Sequence, residues 1–459
     1  MLGITLIRDS ELPLKRQVYQ QLKERITNGQ LNAGEMLPST RELCNDLGVS
    51  RNTVSEAYEM LLAEGFVITK QGSPTRVAPG LCVEQPAPAP RPSLPRSPVP
   101  VNADFSTGRP ALDYFPWQSW HRLLARSAED MPLNRFGYGY PQGALLLREE
   151  IVAWLYRSRG LTVLPQDIFI TSGATNALHL IAELLCRDKR GIIIEDPCHK
   201  GMLHTFLNKQ CSVLPVMSDE QGLQTDRLPG INHAAGVYVT PSHQFPLGGI
   251  LPASRRASLV RFAREQNLYI IEDDYDSEFR YSGAPIAPLY SLDPQRVIYV
   301  GTFSKALFPA LRIGFAILPP LLHEKWKDLR ICTDVQNPPY EQEVLARFLK
   351  TRGLDRHISR MRRLYGQRRL ALLSSLKKHL REEWGVSGDA AGLHLAIDLP
   401  GRRFDDAFVL RCRDRGIILS TVESHAIEKG RHPGKLLLGY GHLTPQQIDD
   451  GIRLLCERL

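Results

Sequence analysis

The sequence lacks three features that would each assign it to a particular class of protein. No apolar stretch approaches the ~20 residues that a membrane-spanning helix needs, so no membrane span is expected. The first residues lack a basic start followed by a sustained apolar block, so no secretory signal is expected and the cytoplasm is the predicted location. The eight cysteines lack the paired spacing of metal ligands, which predicts reduced thiols, no metal site and no disulfide framework.

The composition is that of a globular protein, and its charge is unevenly distributed. The chain has 459 residues, of which 43% are hydrophobic and 23% charged, enough for two or three domains. The formal net charge is +8, but residues 1–80 carry nine Lys and Arg against nine Asp and Glu. A DNA-binding face in that segment must therefore be local. The densest basic stretch, residues 350–381, is predicted to be a solvated helix face rather than a second DNA contact.

A proline-rich stretch divides the chain into a small and a large domain. Eight of the 22 positions from Pro79 to Pro100 are proline, which fixes φ and removes a backbone donor. Residues 79–102 are therefore predicted to form an extended, semi-rigid linker between a domain of residues 1–78 and one of residues 103–459. The large domain is predicted to have a main part at about 103–345 and a smaller α/β subdomain at about 346–459.

The large domain alternates apolar runs with amphipathic helical stretches, which is typical of an α/β fold with a mainly parallel sheet. Its candidate central strands are residues 168–171, 191–195, 236–240, 269–273 and 297–300. Residues 392–399 and 435–438 are predicted to be strands of the terminal subdomain.

The N-terminal domain has the pattern of a helix-turn-helix followed by a wing. A helix is predicted over residues 14–28, and a second follows Ser39, where Glu42 completes a capping box. Gly48 makes the turn and Ser50 caps a third helix, which begins with Arg, Asn and Thr. Polar side chains at the start of such a helix can contact bases and phosphates in a major groove. Residues 65–70 and 75–77 flank a turn at 71–74, as in a two-stranded wing.

This domain resembles the GntR-type winged helix through its segments LPSTREL and LGVSRNTV, and departs from the usual glycine of the wing at Pro74. The resemblance implies double-stranded DNA as a partner. It also implies five DNA-contacting residues, which touch phosphates more often than bases: Arg41, Arg51, Asn52, Thr53 and Arg76.

The strongest chemical signal in the large domain is a strand and turn that end in Lys305. A lysine there can form a Schiff base with an aldehyde cofactor, and nearby hydroxyls and a guanidinium can bind one phosphate. A second strand breaks at a glycine into a helix, whose free N–H groups point to the same phosphate. An acidic strand end supplies a carboxylate for a pyridine nitrogen and a phenol for the O3′ of the ring. The predicted cofactor is pyridoxal 5′-phosphate, and the candidate residues are Gly173, Ala174, Thr175, Asp273, Tyr275, Thr302, Ser304, Lys305 and Arg312.

Together these motifs resemble the fold-type I aminotransferases, and most closely the MocR-type regulators, in which that domain follows a GntR winged helix. The resemblance spans almost the whole chain. It implies that His199 stacks on the cofactor ring, and that the protein is a homodimer whose two winged helices read paired half-sites.

Three departures from the aminotransferase pattern bear on function. His199 stands where an aromatic residue normally stacks on the ring; it can still stack but is smaller. Phe245 replaces the asparagine that lies near O3′, so that this contact is absent or is replaced by His243 or Gln244. Leu437 stands where a transaminase commonly has the arginine that binds a substrate carboxylate through two hydrogen bonds. Lys435 and Arg431 lie nearby but cannot make that bidentate contact from the same place.

These departures favour a regulator that senses pyridoxal phosphate, an amine or an amino acid over a working enzyme. The competing hypothesis is an active aminotransferase with an appended DNA-binding domain, or one that retains only half of the transamination reaction. A third hypothesis makes the cofactor itself the signal.

Overall fold

The computed structural model describes residues 2–70, 73–80, 101–186, 191–230, 234–281 and 286–459. The chain forms two compact units, Met1–Arg96 and Ser97–Leu459. Most of the predicted linker, residues 81–100, and two residues of the predicted wing turn, 71 and 72, lie outside the described residues. Within the described ranges, no helix is long and apolar enough to cross a membrane.

The first unit contains three helices and a short hairpin, as the winged-helix prediction requires. Their bounds are α1 Leu14–Thr27, α2 Thr40–Leu47, α3 Arg51–Ala63, β1 Val67–Ile68 and β2 Arg76–Val77. Helix α2 begins at the predicted capping box, in which the Ser39 hydroxyl accepts from the backbone N–H of Glu42 and the Glu42 carboxylate accepts from that of Ser39. Gly48 ends the helix with a φ of +62°, a left-handed conformation that costs glycine little.

The three helices pack around a small apolar core. Val18 and Leu22 of α1 meet Val54 and Leu61 of α3, and all four side chains are fully buried. The hairpin strands pair antiparallel, with Val67 opposite Val77. Because the apolar face of α3 is used in this packing, its polar N-terminal residues lie at the surface.

The second unit alternates strands and helices along most of its length. Its elements are β3 Ala103–Asp104, α4 Trp117–Asp130, α5 Leu145–Arg159, β4 Ile168–Thr171, α6 Ala174–Leu185, β5 Gly191–Asp196, α7 Lys200–Asn208, β6 Ser212–Asp219, β7 Gly222–Leu223, β8 Ala234–Val239, α8 Ala253–Glu265, β9 Tyr269–Asp274, β10 Val297–Thr302, β11 Gly314–Ile317, α9 His323–Thr333, α10 Pro339–Lys350, α11 Gly353–His379, β12 Gly385–Ser387, β13 His394–Asp398, α12 Asp406–Arg413, β14 Ile417–Ile418, β15 Ser420–Thr421, β16 Lys435–Gly439 and α13 Pro445–Cys456.

The main sheet has the strand order β4-β11-β10-β9-β8-β5-β6-β7. Strands β10, β9, β8, β5 and β6 run parallel, whereas β11 is antiparallel to both of its neighbours. This arrangement confirms the mainly parallel α/β prediction. Strand β4, predicted as central, lies at the sheet edge, and β6 and β11 were not predicted.

The parallel order brings the carboxyl ends of β8, β9 and β10 to the same edge of the sheet. Loops that follow these ends converge there, which is where parallel α/β sheets form their ligand sites. Each of the three strands is buried along nearly its whole length, with helices packed on the sheet. The sheet is therefore a rigid support for the residues that end these strands.

The small subdomain contains a second sheet of order β12-β13-β16-β15. Strand β3 pairs with β14 beside it, although residues 103–104 were assigned to the large part by sequence. The predicted basic helix at residues 350–381 corresponds to α11, Gly353–His379, which follows α10 after Thr351 and Arg352. The prediction of a solvated face is wrong at Arg368, which is buried and donates a hydrogen bond to the Gly441 carbonyl.

Candidate functional site

A cavity of about 250 Å³ lies in the second unit, at the carboxyl ends of the central strands. Nine of the ten predicted cofactor residues line this cavity, and the tenth, Gly173, precedes one of them directly. The nine are Ala174, Thr175, His199, Asp273, Tyr275, Thr302, Ser304, Lys305 and Arg312. The structure thus brings together residues that are up to 138 positions apart in the sequence. Their roles as cofactor ligands remain predictions.

Lys305 follows β10 and projects its amine into the cavity. Its Nζ donates a hydrogen bond of 2.6 Å to the Gly108 carbonyl. Burial lowers the pKa of Lys305, although the nearby carboxylates of Asp276 and Asp273 oppose the shift. A lowered pKa increases the fraction of uncharged amine, which is the form that attacks a carbonyl carbon.

Asp273 comes from the end of β9 and is buried beneath the cavity. Its Oδ2 accepts a hydrogen bond of 2.8 Å from the Tyr238 hydroxyl. Its Oδ1 is buried and has no hydrogen-bond partner among the described residues. Burial raises the pKa of Asp273 to about 7, against the opposing hydrogen bond from Tyr238. A cationic N–H donor in the cavity would satisfy Oδ1 and reverse this shift.

At one end of the cavity, groups suited to a phosphate converge. Gly173 has a φ of +88° and directly precedes α6, so the free N–H groups of the helix start face the cavity. The Arg312 Nη2 donates to the Ser172 carbonyl at 2.7 Å, and a Cβ on Gly173 would lie only 3.1 Å from this nitrogen. The Thr302 hydroxyl donates to that of Ser304 at 3.0 Å. Glycine at 173 therefore permits the close approach of the guanidinium.

Tyr275, the predicted O3′ partner, belongs to a buried chain of polar side chains. Its hydroxyl lies 3.0 Å from Nδ1 of His243, and the same nitrogen lies 3.0 Å from Oδ1 of Asp276. Burial alone would lower the pKa of His243, but the facing Asp276 carboxylate outweighs burial and raises it. The Nδ1 proton is therefore directed to Asp276 and Tyr275, which leaves the hydroxyl proton of Tyr275 free for a ligand.

His243 and Gln244 were the two candidates to replace the missing asparagine, and their contacts differ. Gln244 is fully buried; its Nε2 donates to the carbonyls of Pro197 and Phe245, and its Oε1 accepts from the Leu247 N–H. It is not a lining residue of the cavity. His243 also does not line the cavity and reaches it only through Tyr275.

His199 and Phe245 form an aromatic wall of the cavity. Their ring centroids are 5.0 Å apart, and Nδ1 of His199 accepts from the N–H of Gly201 at 3.1 Å. That hydrogen bond fixes the His199 ring at the start of α7. Whether His199 stacks on a cofactor stays a prediction.

The position of the missing substrate arginine is filled by apolar packing. Leu437 is fully buried in a cluster with Phe245, Leu247, Ala396 and Val422. The two cations that the sequence places nearby are engaged elsewhere. Lys435 pairs with Asp398 at 3.6 Å, and Arg431 pairs with Glu428 at 2.6 Å.

The residues of the cavity fit pyridoxal phosphate. The orphaned Oδ1 of Asp273 matches a protonated pyridine nitrogen, and the buried amine of Lys305 matches the aldehyde. The helix start after Gly173 and the Arg312 guanidinium match the phosphate dianion.

Several lining residues were missed by sequence reasoning. Tyr238 lies in the middle of an apolar strand, and no motif marks its hydroxyl as the partner of Asp273. Gly108, with a φ of +70°, lies across the cavity from Lys305 and is 197 residues away from it in sequence. His394 reaches the cavity from the small subdomain. A sequence signal existed only for Gly108, as a glycine in a Thr-Gly-Arg-Pro turn.

The same region contains the one group of potential metal ligands that the described residues provide. Side-chain atoms of His243, Asp276 and His394 lie within 4.8 Å of one another. Two of these three residues already hydrogen-bond each other. Hydrogen bonding thus accounts for His243 and Asp276, whereas Nε2 of His394 has no partner among the described residues.

In the first unit, the predicted DNA-contacting residues lie at or near the surface. Arg41, Arg51, Asn52 and Arg76 are exposed, and Thr53 is half-buried at the start of α3. Thr53 is held by the Ser50 cap, and the Asn52 amide donates to Glu56 at 2.8 Å. Nη1 of Arg76 donates to the Gly34 carbonyl at 2.8 Å. Arg41 and Arg51 have no side-chain partner in the described part of the chain, so their guanidinium groups remain available to phosphates.

Both units match known protein families. Residues 14–77 match the bacterial regulatory proteins of the gntR family, and residues 104–455 match the class I and II aminotransferases. The second match covers more than half of the chain.

Two regulators are similar to this chain along nearly its whole length. The probable rhizopine catabolism regulatory protein MocR of Rhizobium meliloti is 32% identical, over 98% of this chain and 95% of the relative. The HTH-type pyridoxine biosynthesis transcriptional regulator PdxR of Corynebacterium glutamicum is 34% identical, over 96% of this chain and 94% of the relative.

Solved structures similar to this chain include aminotransferases. The kynurenine aminotransferase of Pyrococcus horikoshii is 27% identical with a TM-score of 0.71, covering 78% of this chain and 90% of its own. The α-aminoadipate aminotransferase LysN of Thermus thermophilus, solved with N-(5′-phosphopyridoxyl)-L-leucine, is 25% identical with the same TM-score, covering 78% and 92%.

Proposed function

Because the chain belongs to the MocR-type subfamily of the GntR transcription regulators, we propose that this DNA-binding regulator holds pyridoxal phosphate on Lys305 and responds to an amine. The winged helix would bind an operator through Arg41, Arg51, Asn52, Thr53 and Arg76. The cavity at the sheet edge would hold the cofactor. Pyridoxal phosphate supplies an aldehyde that forms a reversible imine with a primary amine.

The observation that carries the cofactor assignment is the unpartnered Oδ1 of Asp273. A buried polar atom without a partner lowers the free energy of unfolding by about 1–3 kcal/mol, and Oδ1 carries this cost until a donor reaches it. The pyridine N–H of the cofactor would remove it. The phosphate would lie between the start of α6, Thr302, Ser304 and Arg312, and Tyr275 would donate to O3′.

The apolar packing at Leu437 supports a sensor rather than a transaminase. A substrate carboxylate needs a cationic partner in a buried site, and the enzyme pattern supplies it with a bidentate arginine. Leu437 cannot provide that contact, and neither Lys435 nor Arg431 lines the cavity. Because the same chain carries a DNA-binding unit, binding of an amine would change operator binding.

Two alternatives follow from particular observations. The likeness to solved aminotransferases and the convergence of the predicted cofactor residues on one cavity favour a protein that retains a transamination reaction. The similarity to PdxR, whose name refers to pyridoxine biosynthesis, favours pyridoxal phosphate itself as the signal. In the second case, binding of the cofactor alone would change DNA affinity.

A homodimer forms part of the proposal. The segment 133–140 of the second unit exposes Leu133, Tyr138 and Tyr140, which are 88%, 94% and 82% exposed. Large apolar side chains this exposed on one segment mark a surface that a partner covers. A second copy of the chain would cover it and pair the two winged helices for adjacent half-sites.

The test is an absorption titration of the purified full-length protein with pyridoxal phosphate. We expect the visible band of a lysine imine in wild type and none in Lys305→Ala, with both proteins equally folded by circular dichroism. Operator binding is then measured in three states: without cofactor, with cofactor, and with cofactor plus a panel of amines. A wild type that never develops the band would refute the cofactor assignment. Steady turnover of an amino acid would favour an active aminotransferase. A change in operator binding on addition of pyridoxal phosphate without any amine would favour the cofactor itself as the signal.

A further inference from the structure

The cavity restricts the chemistry of the amine that it accepts. Resting on the proposed function, we propose that the effector is a primary amine that carries no carboxylate and that donates a hydrogen bond to Nε2 of His394. The charges and hydrogen bonds of the cavity wall set this restriction.

The chemical step is an exchange of imines. The nitrogen of the incoming amine forms the C=N bond with the aldehyde carbon, and the bond from that carbon to Nζ of Lys305 breaks. The two protons of the incoming amine end on Nζ, which leaves as a free amine. No oxidant, reductant or water is consumed.

Cations suited to a carboxylate are missing from the part of the wall that the effector would meet. Of the described residues that line the cavity, only Lys305 and Arg312 have side chains that are ordinarily cationic. Lys305 is the reacting group itself. Arg312 lies at the phosphate end, where its Nη2 donates to the Ser172 carbonyl. Leu437, at the position of the arginine of transaminases, is fully buried in an apolar cluster with Phe245.

The imidazoles around Phe245 do not supply the missing charge. Burial lowers the pKa of His199 and lowers that of His394 well below 6.5, and it lowers the pKa of His425 to about 4. His199 and His425 each lie with their ring centroids 5.0 Å from that of Phe245. All three rings are therefore neutral at neutral pH. A buried carboxylate among them would have no cationic partner and would bind poorly.

His394 offers a specific contact instead of a charge. Its side chain is almost fully buried, it lines the cavity, and its ring centroid lies 5.2 Å from that of Phe245. The ring hydrogen-bonds the Pro246 carbonyl, whereas Nε2 has no partner among the described residues. A neutral imidazole that donates from one nitrogen accepts at the other. Nε2 is thus a buried acceptor on a residue of the cavity wall, and a ligand with an O–H or N–H group would satisfy it.

Three small probes separate these requirements. Ethanolamine carries an amine and a hydroxyl donor, serine adds a carboxylate to the same skeleton, and propylamine replaces the hydroxyl by a methyl group. Each is titrated into the wild-type protein loaded with pyridoxal phosphate, and the change in the visible band gives the half-saturating concentration. We expect ethanolamine to half-saturate at a concentration about tenfold lower than propylamine, since one buried hydrogen bond corresponds to about that factor. Serine should need a still higher concentration.

Two positions test the cause of each preference. Leu437→Arg restores a cation at the transaminase position and should improve serine binding at least tenfold relative to ethanolamine. His394→Phe should remove the preference of ethanolamine over propylamine, while His394→Asn, which keeps an acceptor, should retain part of it. The titrations are repeated with EDTA, because His394 belongs to the group of potential metal ligands. A preference that EDTA abolishes would assign the contact to a metal ion and overturn the role of Nε2.

The outcomes distinguish the inference from the function on which it rests. If no visible band forms on Lys305, the proposed cofactor function fails. If the band forms and serine half-saturates at the same or a lower concentration than ethanolamine, the function stands and the exclusion of carboxylates is wrong. Equal responses to ethanolamine and propylamine would remove the contact with His394.

Discussion

Gly108 is expected to control cofactor attachment, although it has no side chain. It lies across the cavity from Lys305, whose Nζ donates to its carbonyl at 2.6 Å. A Cβ built on Gly108 would lie 2.3 Å from Nζ and 3.0 Å from Cε of Lys305. In Gly108→Ala the methyl group therefore occupies the place of the reacting nitrogen.

The size of the effect has two parts. The φ of Gly108 is +70°, and an alanine in the left-handed region costs about 1–2 kcal/mol of stability. Displacing Lys305 from its rotamer costs about 1 kcal/mol more, which corresponds to about a fivefold loss of cofactor affinity. The methyl group also reduces the space available to the cofactor, which adds to this loss. We expect a total loss of about tenfold or more in pyridoxal phosphate affinity.

Gly160→Ala is the matched control in the same unit. Gly160 has a φ of +67°, and no atom lies within 4 Å of its added Cβ. Both variants should lose thermal stability, measured by circular dichroism without cofactor, and Gly108→Ala should lose about 1 kcal/mol more because it also displaces Lys305. Only Gly108→Ala should lose affinity in the absorption titration. The steric reasoning is wrong if Gly108→Ala binds pyridoxal phosphate as tightly as Gly160→Ala does.

Three further predictions concern pH and DNA. Because the pKa of Asp273 is raised from 3.8 to about 7 in the folded protein, the free energy of unfolding of the cofactor-free protein should fall as pH rises through that interval. The Asp273→Asn variant should have a higher melting temperature than wild type above pH 7 and a similar one near pH 3.8. A lower melting temperature of the variant above pH 7 would contradict this. His243→Phe leaves the buried Asp276 without its partner and should lower the free energy of unfolding by about 3 kcal/mol in urea titrations. Since the pKa of His243 is raised above 6.5, this loss should be largest below pH 6.5 and should shrink as pH rises through the folded-state pKa; a loss that grows with pH would refute the ion pair. Arg51→Ala should weaken operator binding for all DNA sequences and reduce the slope of log K against log salt concentration by about 1. Arg25 is the control, because its guanidinium donates to the Gly3 carbonyl, and Arg25→Ala should leave that slope unchanged. Equal slopes for wild type and both variants would exclude a phosphate contact at Arg51.

Local patterns were sufficient for much of the fold. The capping box at Ser39 and the turn at Gly48 depend on residues within four positions of each other, and both have the expected geometry. The strands that end at Asp273 and near Lys305 were predictable because buried parallel strands are continuous apolar runs. Strand β11 was missed because its antiparallel pairing with β10 and β4 depends on long-range contacts.

Interactions across the chain decided the rest. Arg368 belongs to the most basic stretch of the sequence and is buried, because the Gly441 carbonyl lies beside it in the folded subdomain. The helical period places Arg368 on the buried face of α11 with Tyr365 and Leu372, but its charge alone predicts exposure. The choice between His243 and Gln244 was likewise open in the sequence, since the two are adjacent. It depends on which one faces Tyr275.

The candidate groups of the site could be predicted from residue types and their spacing: an amine, a carboxylate and a glycine turn suited to a phosphate. Lys305, Asp273 and Gly173 are recognisable from their motifs alone. Only the tertiary structure decided what surrounds them: the Gly108 carbonyl at Lys305, the unpartnered oxygen of Asp273 and the free nitrogen of His394. Those surroundings arise from segments far apart in the chain. Burial and hydrogen bonding, which set charge and selectivity, are properties of the assembled site.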